Sequence, residues 1–270
     1  MRLSLVAAVT SLSLAASSMI GCVRPRGEIL TLAGSTSVQP VAETWADAYR
    51  AFHPELAIQV QGGGSTAGIQ AAMSGAAQIG MSSRPLTVEE RARLEGILVA
   101  RDGIAVVVHP TNPVANLRLG DVRALYAGQV RTWKRFAGRD ESITLVTREE
   151  GSGTRSAFES LAMGAQPIAP FALVQDSTGA VRQMVASDPA AIGYLSFGLV
   201  DASVKAIRLD GVEAREANID AGTYPLVRPF FFAIAPGDRG SPVVSDFIRW
   251  VLGPEGRSLA SGEGLLPPPS

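Results

Sequence analysis

The chain has 270 residues, with 24 basic and 25 acidic side chains (net charge −1), 18 % charged and 46 % hydrophobic residues, 28 Gly, 17 Pro and one Cys. The hydrophobic share is enough for a full core, and low charge with abundant Gly and Pro excludes a coiled coil or a charge-rich disordered chain. The near-neutral balance lacks the clustered Lys/Arg excess of a nucleic-acid or polybasic membrane-surface protein, and one Cys with two His (His53 and His109) rules out an intrachain disulfide and any multi-thiolate or multi-His metal site.

Residues 1–21 read as a secretory signal: Arg2, an apolar run rich in Leu, Ala and Val, then small residues. Ser and Thr interrupt the run, and it is shorter than the roughly 20 residues of a bilayer crossing. Met19-Ile20-Gly21-Cys22 resembles the bacterial lipobox, which makes Cys22 a lipidation candidate, with Met19 in place of the usual Leu. The alternative is cleavage near Ala16-Ser17-Ser18, leaving Cys22 as a thiol. Residues 22–27 then form a tether, and loss of Arg2 with the signal leaves 23 basic against 25 acidic side chains. An anion site in the mature chain must therefore be built locally.

From Glu28 onward strands and helices alternate. Glu28–Ala33 is strand-like; Val38–Phe52 has helical spacing (Val41, Trp45, Ala48, Phe52); Ala57–Gln61 is a strand, Ile69–Met73 a helix and Gln78–Met81 a strand. Thr87-Val88-Glu89-Glu90 is a capping box that opens another helix. Ile104–Val108 is a β-branched strand ending at His109-Pro110, strands are expected at Ile143–Thr147, Ile192–Leu195 and Val204–Leu209, and Val227–Ile234 is a last strand-like run. This alternation predicts an α/β fold. The segment between Val108 and Val227 carries its own strands and helices, so it reads as an inserted lobe of a two-lobed clamshell. One continuous doubly wound sheet would give much the same local pattern.

Three times a strand runs into a small-residue loop that opens a helix: Gly34-Ser35-Thr36-Ser37, Gly62-Gly63-Gly64-Ser65-Thr66 and Gly151-Ser152-Gly153-Thr154. The first N–H groups of a helix lack intrahelical partners and carry the positive end of its dipole, and Ser/Thr hydroxyls add further donors. Each loop alone fits an ordinary helix cap. Three in one chain, one preceded by Arg148, fit sockets for an oxyanion, with the Arg148 guanidinium as counter-charge or, alternatively, paired with Glu149 or Glu150. Rival chemistries lack their residues. Neither Lys134 nor Lys205 follows a glycine as a nucleotide-binding P-loop demands, no GxSxG elbow surrounds Ser65 or Ser152, and neither His stands in a Ser/His/acid arrangement.

The blocks AGSTSVQP (33–40), VQGGGSTAGI (60–69), IGMSSRPL (79–86), TREEGSGTR (147–155), AIGYLSFG (191–198) and YPLVRPFFF (224–232) resemble the substrate-binding proteins of bacterial phosphate ABC transporters, the periplasmic phosphate-binding family with a type 2 two-lobed fold. The resemblance implies extracytoplasmic capture of inorganic phosphate between the lobes and delivery to ABC permease subunits, without catalysis, cofactor, metal or nucleic acid, by a monomer that touches the membrane only through its lipid anchor. It implies lobe 1 from residues 28–108 and 230–270 and lobe 2 from 109–229. The phosphate-binding residues it implies are Thr36 and Ser37, with Ser35 beside them; Ser65; Ser83; and Arg148, Ser152, Gly153 and Thr154. Ser83 stands where the best-known members carry an Asp that accepts the proton of the bound phosphate. A serine also accepts, but repels sulfate less. Arg84 next to it is either a ligand contact or a cation at the lobe edge. Other readings of the same residues are capture of sulfate or molybdate, or a surface sensor or adhesive domain without transport.

Overall fold

The computed structural model describes residues 28–136 and 138–269. The signal segment, Cys22 and the tether lie outside the described residues.

The expected α/β alternation is present as a curled mixed sheet clad in helices. Strand β1 (Ile29–Gly34) leads to α1 (Gln39–Arg50), β2 (Ala57–Gly62) to α2 (Ser65–Ser74), and β3 (Ile79–Ser82) follows. These strands are parallel, with β1 between the other two. The capping box forms at the start of α3 (Val88–Arg91): Glu90 N donates to Thr87 Oγ1 at 3.2 Å and Thr87 N to Glu90 Oε2 at 2.8 Å.

The strand expected at Ile104–Val108 is only the far end of β4 (Glu95–Val108), 14 residues long. Arg101-Asp102-Gly103 interrupts the apolar pattern and hides this continuity, because Asp102 is a charged residue that is wholly buried in the strand. Beyond it come β5 (Asn116–Leu117), α4 (Leu119–Tyr126), β6 (Thr144–Arg148), α5 (Gly153–Phe158) with a wide π turn at Glu159–Met163, β7 (Leu173–Gln175), α6 (Thr178–Ser187) and β8 (Ala191–Ser196). The single strand expected at Val204–Leu209 is two short ones, β9 (Lys205–Ala206) on β4 and β10 (Arg208–Leu209) on β5, because each half finds a different neighbour. After α7 (Glu216–Asp220), the chain returns through β11 (Val227–Ile234) and closes with α8 (Pro236–Arg239), α9 (Pro242–Val251) and α10 (Pro254–Gly262).

The strand order is β2-β1-β3-β11-β4-β8-β6-β7. The long strand belongs to both halves. From Glu95 to Gly103 β4 pairs antiparallel with β11, and from Ile104 to Val108 with β8. The two largest hydrophobic clusters divide at the same place, and a small third one (Ile69, Ala72, Leu86, Leu94, Ala233) lies on the first half. One large cluster gathers Leu30, Trp45, Tyr49, Phe230, Phe232 and Phe247. The other gathers Val106, Tyr126, Trp133, Phe158, Tyr194 and Tyr224. Ile104–Val108 pack entirely in the second cluster, since β8 and β9 cover that end of β4. At the return crossing the cores change between Leu226 and Phe230. Between the two cores lie the ends of the parallel strands, and with them every small-residue loop.

Candidate functional site

Each parallel strand delivers its loop to the boundary between the cores. At the end of β1 the chain turns so tightly that Gly34 adopts φ +137°, and a Cβ there would lie 2.3 Å from the Met81 carbonyl oxygen. Only glycine fits, and the turn lets Ser35 N donate to Met81 O at 2.9 Å. The chain after β3 thereby comes to lie against the β1 loop. Ser35 Oγ donates to Ser83 Oγ at 2.9 Å, Ser83 Oγ is 3.3 Å from Ser65 Oγ at the start of α2, and Ser83 N donates to Ser65 Oγ at 3.0 Å. Ser35, Ser37, Ser65 and Ser83 are all buried. Four hydroxyls from three loops thus gather on the first core's side with no charged group among them.

The second core supplies the facing wall. Gly153, the first residue of α5, comes so close that a Cβ would fall 2.2 Å from Ser65 Oγ and 2.6 Å from Ser83 Oγ. Thr66 N donates across the cleft to Gly151 O at 3.1 Å. Ser37 Oγ lies 2.9 Å from both Thr154 Oγ1 and Thr178 Oγ1. Thr36, half-buried, accepts from Thr178 N at 3.3 Å. Ser152 is occupied locally: its Oγ accepts from Arg155 N at 3.3 Å as the cap of α5.

Arg148 is buried at the end of β6 and, of the acidic partners considered from the sequence, pairs with Glu149. Its Nε and Nη2 donate to the two Glu149 carboxylate oxygens at 2.9 Å, while Nη1 turns to Thr178 Oγ1 at 3.1 Å. The Gln175 carbonyl shares the Nε hydrogen and the Asp176 carbonyl accepts from Nη2, both at 3.2 Å. Beneath it, the Tyr194 hydroxyl is 2.7 Å from Thr147 Oγ1, and burial pushes its pKa up to about 12, so it stays neutral. Arg84, by contrast, is held by Glu90 through two 2.8 Å hydrogen bonds. It therefore belongs to the edge of the first half.

The sequence reading missed three residues. Thr178 opens α6 after Ser177, which caps that helix by accepting from Ala180 N at 3.1 Å. Ser177-Thr178-Gly179 follows a strand in the same way as the three loops that were recognised, so the signal was present. Asp102 and Arg228 form a buried ion pair, Arg228 Nη2 lying 2.8 Å from Asp102 Oδ2. Arg228 is a lone charge in an apolar strand and Asp102 stands beside Arg101, so nothing local pairs the two. Neither His joins the cluster: His109 Nδ1 is 2.8 Å from Thr111 Oγ1 and His53 stacks on Tyr49.

Two lobes hinged on a pair of long antiparallel strands, with helix N-termini and hydroxyls facing one another across the gap, define a substrate-binding protein of the two-lobed periplasmic type. Comparison with known proteins agrees. The PBP superfamily domain matches residues 23–255. The phosphate-binding protein PstS of Bacillus subtilis is 35 % identical over 202 residues, 73 % of this chain and 67 % of that protein. A solved structure of a substrate-binding protein from Clostridium perfringens, with bound phosphate, superposes with a TM-score of 0.87 at 37 % identity over 90 % of this chain and 100 % of that one. An ABC-type phosphate transport receptor from Vibrio cholerae gives 0.73 at 39 % identity, over 88 % and 100 %. The chain belongs to the PBP superfamily and, within it, to the periplasmic phosphate-binding family.

Proposed function

We propose that this protein captures inorganic phosphate outside the cytoplasmic membrane and hands it to an ABC permease, as the names of its relatives suggest. The observation that carries this reading is the convergence of Ser35, Thr36, Ser37, Ser65 and Ser83 from one half with Gly153, Thr154 and the Arg148–Thr178 pair from the other. Directed hydroxyls, helix N-termini and one guanidinium suit a tetrahedral oxyanion that has shed its water, because each oxygen can be met by fixed donors. Ser152 contributes through the helix it caps. Ser83 fills the place of a proton acceptor, since a hydroxyl can accept from a protonated phosphate oxygen as well as donate.

In this reading lobe 1 comprises residues 28–103 and 230–269 and lobe 2 residues 104–229, with β4 and β11 as the hinge; the first crossing moves from the expected 108/109 to 103/104 because Ile104–Val108 pack in the second core. Ligand contacts from both walls exist together only when the cleft is shut, so phosphate favours the closed state that the permease receives. Release of residues 1–21 and acylation of Cys22 would tether a monomer to the membrane. The protein works by binding alone, with no covalent step and no cofactor.

Calorimetric titration of phosphate-free protein tests the reading. Heat with phosphate that exceeds any response to sulfate, arsenate or molybdate is the expected result; no heat with any of the four overturns it.

A further inference from the structure

The two hinge strands each bury one charge at the same level. Asp102 on β4 and Arg228 on β11 are register partners, 0 % and 2 % exposed. Arg228 Nε donates to Asp102 Oδ2 at 2.9 Å, and Ser196 Oγ donates to Oδ1 at 2.9 Å, so both carboxylate oxygens are engaged. Arg228 Nη2 approaches the same Oδ2 at an angle too poor for a hydrogen bond and has no other hydrogen-bond partner. Burial raises the Asp102 pKa and lowers that of Arg228, each opposed by the partner's charge, and the neighbouring Arg148 depresses Arg228 further. A pair this costly to bury needs a reason beyond joining two strands that already share a ladder.

The reason lies in its forward contact. Arg228 Nη1 reaches Thr154 Oγ1 at 2.7 Å. A guanidinium has donors only, so Thr154 Oγ1 must accept there, and its single proton is left for the cleft side, where Ser37 Oγ lies 2.9 Å away. Arg148 does the same to Thr178. Two threonines are thereby fixed as donors, whereas Ser83 and Ser37, whose side chains meet only other hydroxyls, keep the freedom to donate or accept.

We propose that Arg228 is a positioning residue for anion capture: it locks the Thr154 hydroxyl as an obligate donor toward an unprotonated ligand oxygen and, through Asp102, fastens that donor to both hinge strands. The inference rests on the oxyanion reading of the cleft. It leaves the protonated oxygen of phosphate to the reversible hydroxyls of the first half, Ser83 above all.

A mutant cycle read by phosphate calorimetry on phosphate-free protein tests it. Arg228→Met removes the donor, and Asp102→Asn made with it avoids a stranded carboxylate while keeping an acceptor for Ser196. This paired change is expected to weaken phosphate binding about tenfold, the scale of one charge-assisted hydrogen bond, and to change it less than about twofold once Thr154→Val has removed the hydroxyl. An equal loss with and without Thr154 overturns the proposal and makes the ion pair a purely structural one. Should the paired variant fail to fold, the same cycle with Arg228→Lys decides. An ammonium can hold Asp102 but not also Thr154, so the expectation is a loss of about threefold that vanishes in Thr154→Val. If the wild-type protein binds none of the oxyanions, the functional reading itself fails, an outcome distinct from an additive cycle.

Discussion

The two walls of the cleft are built on different plans. On the first, Ser35, Ser37, Ser65 and Ser83 are neutral hydroxyls bonded to one another and to helix starts, and the one nearby cation, Arg84, is turned away to Glu90. On the second, Thr154 and Thr178 are each backed by a buried guanidinium that is itself balanced by a carboxylate: Arg228 with Asp102, Arg148 with Glu149. The difference is one of proton direction. Donors that cannot reverse suit bare oxygens, and reversible hydroxyls suit a protonated one. Because Arg84, Arg148 and Arg228 each have a carboxylate partner, the selectivity proposed for the site would come from orientation rather than from net charge.

The sharpest way to break this contrast is to keep the walls apart. Gly153→Ala would put a methyl group within 2.2 Å of Ser65 Oγ and 2.6 Å of Ser83 Oγ. Overpacking of about 1–3 kcal/mol falls on the closed state alone, so phosphate affinity should drop roughly 10- to 100-fold while the melting temperature changes little. Calorimetry and a thermal melt check the two halves of that statement. Arg148→Ala should have an effect of similar size, because it strips the second wall of the charge behind Thr178. The loss of about 1.5–3 kcal/mol of charge-assisted hydrogen bonding is expected in binding titrations, and an unchanged affinity would assign Arg148 to its pair with Glu149 alone. A smaller change should follow Ser37→Ala, since the hydroxyl between Thr154 and Thr178 is neutral: about 0.5–1.5 kcal/mol, read in the same titration.

Ser83→Asp would make one first-wall position a permanent acceptor. Phosphate binding should persist while sulfate binding falls, and a competition titration with sulfate reads the change. The smallest effect belongs to Glu90, whose carboxyl is held below its ordinary range, first by the Arg84 hydrogen bonds. A depressed folded-state pKa stabilises the fold above the unfolded value, and the contribution is lost as pH falls through the folded value. Glu90→Gln should therefore flatten part of the acid limb of stability, seen in melts below about pH 5, and leave phosphate affinity at pH 7 nearly unchanged.

Much of this was legible along the chain. The β1, β2 and β6 loops announce themselves by Gly and Ser/Thr between a strand and a helix, and Thr87 with Glu90 writes its capping box in four residues. The loop before α6 has the same grammar in Ser177-Thr178-Gly179 and was overlooked because it holds a single glycine after two hydroxyls. Local signals fail at β4, where Arg101 and Asp102 break an apolar run that the fold nevertheless keeps as one strand.

By itself the sequence determined the α/β alternation, the loops able to meet an oxyanion and the presence of Arg148, because caps, turns and hydrophobic period depend on neighbours a few residues away. Only the tertiary structure decided that Gly153 abuts Ser65, that Arg148 and Arg228 each stand behind a threonine, and that Asp102 and Arg228 meet across the hinge. Those facts depend on strand register between segments as much as 126 residues apart, which the hydrophobic cores set and no local pattern records.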